Sequence, residues 1–274
     1  MSKLKVLIVS QEISPFVDSS NISDSSNSLA QSIQEKGHEV RCFMPRYGLI
    51  NERRNQLHEV IRLSGMNIII NDNDHPLVIK VASLPGTRMQ VYFIDNDEFF
   101  KRKAMLKDKN DEMFADNDER ALFFARGVIE TIKNLGWSPD IIHCNGWFTS
   151  LVPLYINKIY KDNPIFADTK VIYSAFEEGF ESSLNNNLVE KIRYDEIEES
   201  SLKHIEDPTF TNITKLAVDH ADGIIVDELT NNELVEYIGK LKQPVIKMKE
   251  QGENQEAIND FYEEVLEKSG VLAE

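Results

Sequence analysis

Apolar and polar residues follow one another along the chain in blocks that predict strands separated by helices. The run from Leu4 to Ser10 is largely apolar, which is typical of a parallel strand covered on both faces. Helical spacing extends from Ser28 to Lys36 and ends at Gly37, and Val40 to Met44 supplies a second strand. The chain is therefore predicted to open with a strand, a loop, a helix and a strand.

A β-rich insertion is predicted next. Short apolar or alternating stretches, separated by turn signals rich in Asn, Asp, Pro and Gly, cover residues 57–64, 66–70, 77–84 and 90–95. We expect this insertion to lead back into the main sheet.

The second half of the chain alternates strands and helices again. Helices are predicted over 117–135, 150–160, 188–192, 212–220 and 259–268, and strands over 140–143, 170–174 and 221–226. This order indicates an α/β fold with a doubly wound, mostly parallel sheet. We expect one Rossmann-like domain over residues 1–246, then a charged linker and a C-terminal helix over 247–274 that packs back on the domain.

Composition limits the classes of partner. The chain of 274 residues has 46 acidic and 30 basic residues and a formal charge of -16, which disfavours nucleic acid and anionic membranes. A neutral polysaccharide meets no such repulsion. No apolar run is long enough for a signal peptide or a membrane span, so a cytoplasmic protein is expected.

Cysteine and motif usage predict neither a disulfide nor a cofactor. Cys42 and Cys144 are expected to be buried free thiols in a reducing compartment. The acidic run at 195–199 is expected to be a solvated face. Phosphate-loop, zinc and nucleophile-elbow motifs are lacking, so neither a cofactor nor a metal site is predicted.

Three ordered blocks resemble the bacterial glycogen and starch synthases. They are the opening (5–16 and 37–47), a middle block (91–102 and 115–124) and a third block (137–143, Trp147 and 151–155). The resemblance implies the N-terminal half of a GT-B glycosyltransferase, whose family reaction moves glucose from ADP-glucose to an α-1,4-glucan. In that family the C-terminal half binds most of the sugar nucleotide and the N-terminal half supplies the acceptor groove. A second domain of about 150 to 200 residues has no room in this chain.

The blocks differ from the family where that family carries chemistry. Its Lys-x-Gly-Gly-Leu loop, which meets the sugar nucleotide, is here Asp18-Ser19-Ser20-Asn21-Ile22. Asp18 replaces a cation by an anion, and Ser20 and Asn21 replace glycines that let a ligand approach the backbone. We interpret Asp18, Ser20 and Asn21 as a degenerate nucleotide-sugar loop.

Two further family motifs are altered. The His-x-His-Asp-Trp motif is reduced to His143-Cys144-Asn145-Gly146-Trp147. The Thr-[Ile/Val]-His-Asn motif has no counterpart, because no histidine lies between His143 and His204. We therefore assign no catalytic residue.

The remaining matches predict a sugar or glucan cleft. Its candidate residues are Glu12, Phe16, Asp24, His143, Asn145 and Trp147. An aromatic face such as that of Trp147 can stack on a pyranose ring. A hydrogen-bonded histidine and a packing tryptophan explain His143 and Trp147 equally well, and Asp24 also fits a helix or loop cap.

Three hypotheses remain open at this point. The chain is a synthase relative that works as half of an enzyme, together with a separate C-terminal glycosyltransferase half. Alternatively, it has lost catalysis and is a glucan-binding or regulatory module, whose ligand is an α-glucan such as glycogen or a maltooligosaccharide. An unrelated enzyme on a reused Rossmann scaffold is the third, because a fold does not fix a function. We favour descent from the synthases with weak or no independent activity.

Overall fold

A computed structural model describes residues 3–177, 179–227, 231–248 and 255–268. The strands of its sheet are β1 Lys5–Ser10, β2 Glu39–Pro45, β3 His58–Glu59, β4 Met66–Ile70, β5 Asn73–Ser83, β6 Gln90–Asp95, β7 Ile141–Asn145, β8 Lys170–Ala175, β9 Gly223–Asp227 and β10 Val245–Met248. The helices are α1 Asn21–Glu35, α2 Asp97–Phe100, α3 Asn117–Leu135, α4 Leu151–Lys158, α5 Leu188–Arg193, α6 Phe210–Asp219, α7 Asn232–Ile238 and α8 Gln255–Lys268. Short 3₁₀ helices lie at 61–63, 147–149, 199–201 and 203–206.

The sheet has the order β10-β9-β8-β7-β1-β2-β6-β5-β3, and β4 pairs with β5. Strands β10 to β6 along this path are parallel, whereas β3, β4 and β6 each pair antiparallel with β5. The predicted α/β class and the insertion that returns to the main sheet are confirmed. The chain moves outward from β1 to β2 and β6, then returns to the other side of β1 with β7. The carboxyl ends of β1 and β7 therefore form the topological switch point, where α/β sheets bind ligands.

The core runs through the central strands. Residues 6–9 of β1 are fully buried because helices cover both faces of the sheet there. Helix α3 buries residues on every side and ends at Gly136 in the left-handed conformation, with φ 58°. Cys42 and Cys144 are buried free thiols, as expected.

Helix α1 begins seven residues earlier than predicted, at Asn21. Ser20 is its N-cap, and a reciprocal pair of hydrogen bonds closes the first turn: the Ser23 N–H donates to Ser20 Oγ (2.9 Å) and the Ser20 N–H donates to Ser23 Oγ (2.9 Å). The prediction was wrong because the first two turns contain mostly polar residues, of which Ser23 and Ser26 are buried. Serines occupy core-facing positions in these turns, so the sequence lacks the apolar periodicity that would indicate a helix.

Three other local predictions also require correction. Residues 57–64 form only the two-residue strand β3 and a 3₁₀ turn rather than a full strand. Asp195 is not a solvated member of an acidic face, because it accepts a hydrogen bond from the Tyr155 hydroxyl and lies 3.2 Å from Arg126 Nη1. Strand β10 and helix α7 were not predicted, since both are short and half-exposed.

Helix α8 packs on the sheet beside α1. Its apolar face is buried through Phe261, Tyr262, Val265 and Leu266. Contact with β9 is close, because a Cβ placed on Gly223 would lie 2.8 Å from Val265 Cγ2. Residues 249–254 of the expected linker and 269–274 lie outside the described residues.

The polar segment that contains α5 is attached to α3 by a buried ion pair. Lys191 Nζ lies 2.6 Å from Asp118 Oδ2 and 2.7 Å from Glu119 Oε1. The Asp118 side chain is fully buried and that of Lys191 is 7% exposed. Together with the contact between Arg126 and Asp195, this cluster links the excursion to α3 by charge.

Candidate functional site

A cavity of about 310 Å³ lies at the carboxyl ends of the central strands. It is lined by residues that follow β1, β7 and β8 and by a loop that precedes α3: Gln11, Met105, Leu106, Lys107, Met113, Trp147 and Gly179. Gln11 and Trp147 come directly after the neighbouring strands β1 and β7. The cavity therefore occupies the switch point of the sheet.

Trp147 is fixed by a tight turn at the end of β7. Gly146 has φ 83°, a conformation that favours glycine, and a Cβ there would lie 2.5 Å from Gln11 Oε1. The Trp147 ring packs edge-on against Phe148 and Phe180, with centroid distances of 5.4 and 4.8 Å. Only 3% of the surface of Trp147 is exposed, and this residue forms part of the cavity wall.

The opposite wall is formed by residues 101–114, which we call the lining loop. Arg120 of α3 attaches this loop and the helix before it: Nη2 donates to the Met105 carbonyl of the loop (2.7 Å) and Nε donates to the Phe99 carbonyl of α2 (2.8 Å). Asn117 Nδ2 donates to the Leu106 carbonyl (2.7 Å). Two neighbouring residues of the cavity wall are thus attached through their backbones to one turn of α3.

Arg120 is a fully buried cation. Its Nη1 also donates to Asn117 Oδ1 (2.5 Å), and its guanidinium lies 5.3 Å from the Phe100 ring centroid and 5.2 Å from that of Phe114. Burial lowers the pKa of Arg120 to about 10. The side chain therefore remains charged at neutral pH and requires the acceptors it has.

His143 lies in β7 with both ring nitrogens bound inside the protein. Nδ1 is 2.6 Å from the Tyr262 hydroxyl of α8, and Nε2 is 2.6 Å from Ser174 Oγ of β8. Burial lowers the pKa of His143 to about 3, so the ring is neutral at physiological pH. It links β7, β8 and α8.

The His143 geometry predicts a pH effect on stability. The folded-state pKa is about 3 and the ordinary value is 6.5, so the unfolded chain binds the extra proton. Stability is fully present above pH 6.5 and is lost as pH falls toward 3, by up to about 1.4 kcal/mol per pH unit. We expect His143→Gln, which keeps hydrogen-bonding groups but does not titrate, to show a shallower decline in urea unfolding between about pH 7 and pH 5. Parallel curves for the two proteins would contradict this role.

The other predicted cleft residues beneath the switch point are buried. Asn145 Nδ2 donates to Ser26 Oγ of α1 (3.1 Å), and Phe16 packs edge-on against Phe93 at 5.0 Å. Glu12 is 4% exposed and accepts a hydrogen bond from Gln11 Nε2 (3.0 Å). Burial, the largest cause, raises the pKa of Glu12. Glu12 thus reaches the cavity wall only through Gln11.

Comparison with known proteins identifies the family. The profile of the starch synthase catalytic domain matches residues 5–245, most of the chain. The chain belongs to this family. It is 36% identical to a glycogen synthase of Chlorobium limicola over 235 residues, covering 83% of this chain and 47% of that protein. For a glycogen synthase of Chlorobium luteolum the identity is 37% over 242 residues, with 82% and 48% covered.

A solved structure has the same fold. The catalytic domain of starch synthase IV from Arabidopsis thaliana, bound to ADP and acarbose, superposes with a TM-score of 0.72 at 19% identity. The superposition covers 90% of this chain and 51% of that one. This starch synthase family member therefore spans about half the length of the relatives it matches.

The loop between β1 and α1, where the family has its lysine and glycines, is organised around carboxylates. Asn21 Nδ2 donates to Asp227 Oδ2 at the end of β9 (2.9 Å), and Ser19 Oγ donates to Asp24 in the first turn of α1. Asp18 is exposed, and its carbonyl accepts a hydrogen bond from Ser23 Oγ (3.1 Å). Two carboxylates, those of Asp24 and Asp227, thus lie near the positive end of the helix dipole.

The structure brings one of the six predicted cleft residues, Trp147, to the cavity wall. Asp24 lies at the start of α1, and His143, Asn145 and Phe16 contact protein groups instead. Whether any of them binds a sugar stays a prediction. Sequence reasoning missed Gln11 and the lining loop, although Gln11 stands beside Glu12 at the end of a predicted strand.

In the part of the chain that is described, none of the helices is long and apolar enough to span a membrane.

Proposed function

We propose that this chain binds an α-glucan in the cavity beside Trp147 and does not transfer glucose on its own. The cavity at the switch point is the observation that carries the proposal. Its lining combines an indole, two methionines and a leucine with the carboxamide of Gln11. Apolar and aromatic surfaces suit the C–H faces of a pyranose, and Gln11 suits its hydroxyl groups.

The cavity size favours a short piece of glucan. A volume of about 310 Å³ is at the lower end of the range for small-molecule sites, which is about 300 to 1,000 Å³. One or two sugar rings fit this space better than a whole nucleotide sugar. A glucan chain whose end enters the cavity would place only one or two sugar rings in it.

Charge around α1 argues against glucose transfer by this chain alone. Transfer from a nucleotide sugar requires positive groups near the leaving diphosphate. Here the carboxylates of Asp24 and Asp227 accept hydrogen bonds at the start of α1, and the exposed Asp18 precedes it in the chain, at the place where a helix dipole would otherwise favour an anion. We expect no transfer from ADP-glucose to glycogen by the purified chain. Transfer above background would overturn the non-catalytic part of the proposal.

Glucan binding is tested by mobility in native gels cast with and without glycogen. We expect retardation of the native protein and a loss of apparent affinity of about tenfold, or about 1.4 kcal/mol, for Trp147→Leu, because leucine lacks the indole surface that borders the cavity. The test requires that the variant remain folded, which a thermal melt establishes.

Trp137→Leu is the matched control. Trp137 is similarly buried, donates from Nε1 to Glu39 Oε1 (2.7 Å) and packs under Arg41, but it precedes β7 at the opposite edge of the sheet. Retardation should survive in this variant. If glycogen retards Trp147→Leu and Trp137→Leu equally, or does not retard the native protein, the result would contradict a glucan site at Trp147.

A further inference from the structure

The lining loop concentrates positive charge in an acidic protein. Residues 101–109 include five basic residues and one acidic residue, whereas the whole chain has a formal charge of -16. Asp111 and Glu112 follow in the second half of the loop. The basic half borders the cavity through Met105, Leu106 and Lys107, and the second half borders it through Met113.

Arg102 and Lys107 of this loop differ in how strongly they are bound to acidic partners. Arg102 is committed to Asp116 through two hydrogen bonds, one of them 2.6 Å from Nη1 to Oδ1. Lys107 lines the cavity, and its Nζ lies 3.0 Å from Oδ1 of Asp111, whose side chain is 83% exposed. An ion pair with such an exposed partner contributes little, so an anionic ligand can replace Asp111 at low cost.

We propose that the cavity prefers a sugar that carries a phosphate group, and that Lys107 determines this preference. The inference rests on the proposed glucan site and specifies its substrate class. The ring would lie against Trp147 and the methionines, and the Lys107 ammonium would meet the phosphate in a charge-assisted hydrogen bond. Asp18 stands where the family has a lysine, whereas Lys107 of the lining loop places a cation at the cavity wall.

The phosphate can come from two sources, a phosphorylated glucan end or a free hexose phosphate. Isothermal titration with maltotriose, maltotriose 6-phosphate and glucose 6-phosphate separates them. We expect maltotriose 6-phosphate to bind about tenfold more tightly than maltotriose, and the ratio to fall as salt is raised. Tight binding of glucose 6-phosphate alone would also support the proposal and assign the source to the free sugar phosphate.

Lys107→Gln tests the residue, and Lys109→Gln is the matched control because Lys109 is exposed on the same loop and does not line the cavity. The ratio of the affinity for maltotriose 6-phosphate to that for maltotriose should approach one in Lys107→Gln. It should stay unchanged in Lys109→Gln. Equal affinities in the native protein, or a ratio that survives in Lys107→Gln, would overturn this proposal and leave the glucan site intact. If none of the three sugars binds, the glucan site itself fails.

Discussion

Replacing Arg120 with methionine is expected to lower the free energy of unfolding by at least about 3 kcal/mol, since three buried acceptors lose a charged donor. These acceptors are the Phe99 and Met105 carbonyls and Asn117 Oδ1. The lining loop also loses its attachment to α3, so affinity for maltotriose should fall in the same variant. Urea unfolding and titration calorimetry measure the two effects.

Arg102→Met provides the comparison. Arg102 belongs to the lining loop, but its side chain and that of its partner Asp116 are 35% and 27% exposed. Its replacement should cost about 1 kcal/mol or less. Arg120→Lys should restore part of the sugar affinity, because an ammonium reaches some of the acceptors. If Arg120→Met and Arg102→Met unfold at the same urea concentration, the buried guanidinium does not hold the loop.

Replacing Lys191 with methionine is expected to cost about 3 to 5 kcal/mol, because it leaves the fully buried Asp118 carboxylate without its cation. The double variant Lys191→Met with Asp118→Asn should recover much of this loss, since no uncompensated charge then remains in the interior. Chemical denaturation of the three proteins gives the comparison. A single variant as stable as the double variant would contradict the argument.

An exposed ion pair offers a control for Lys191. Lys215 Nζ lies 2.6 Å from Glu233 Oε1, but the Glu233 side chain is 67% exposed. Lys215→Met should change the free energy of unfolding by less than about 1 kcal/mol. The two lysines have the same length and a similar distance to their partners, so the difference between the variants measures the effect of burial.

The fold could be predicted from sequence wherever apolar periodicity was strong. The bounds of α3, residues 117–135, were predicted without error because its apolar face is broad and Gly136 marks its end. The start of α1 was missed because buried serines, rather than apolar residues, face the core there. The contact of Lys191 with Asp118 joins residues 73 positions apart, which no local pattern encodes.

The candidate site was predictable only in part. Trp147 follows a predicted strand, and the carboxyl end of a parallel strand is where ligands bind. The lining loop has no periodicity and reaches the cavity through the hydrogen bonds of Arg120 and Asn117. The placement of His143 depended on α8, whose Tyr262 lies 119 residues further along the chain.

The position of α8 has a consequence for folding during synthesis. Its Asn259 contacts Ser32 of α1 across 227 residues, and its Tyr262 meets His143 in the middle of the sheet. The ribosome makes β7, β8 and β9 before α8, and a domain generally folds as a unit, so the packing around these strands is completed only after residues 255–268 have been made. During that interval Gly223 and its neighbours lack the apolar cover of Phe261 and Val265. The closing of this part of the sheet therefore waits for a helix that is made after all the strands it covers.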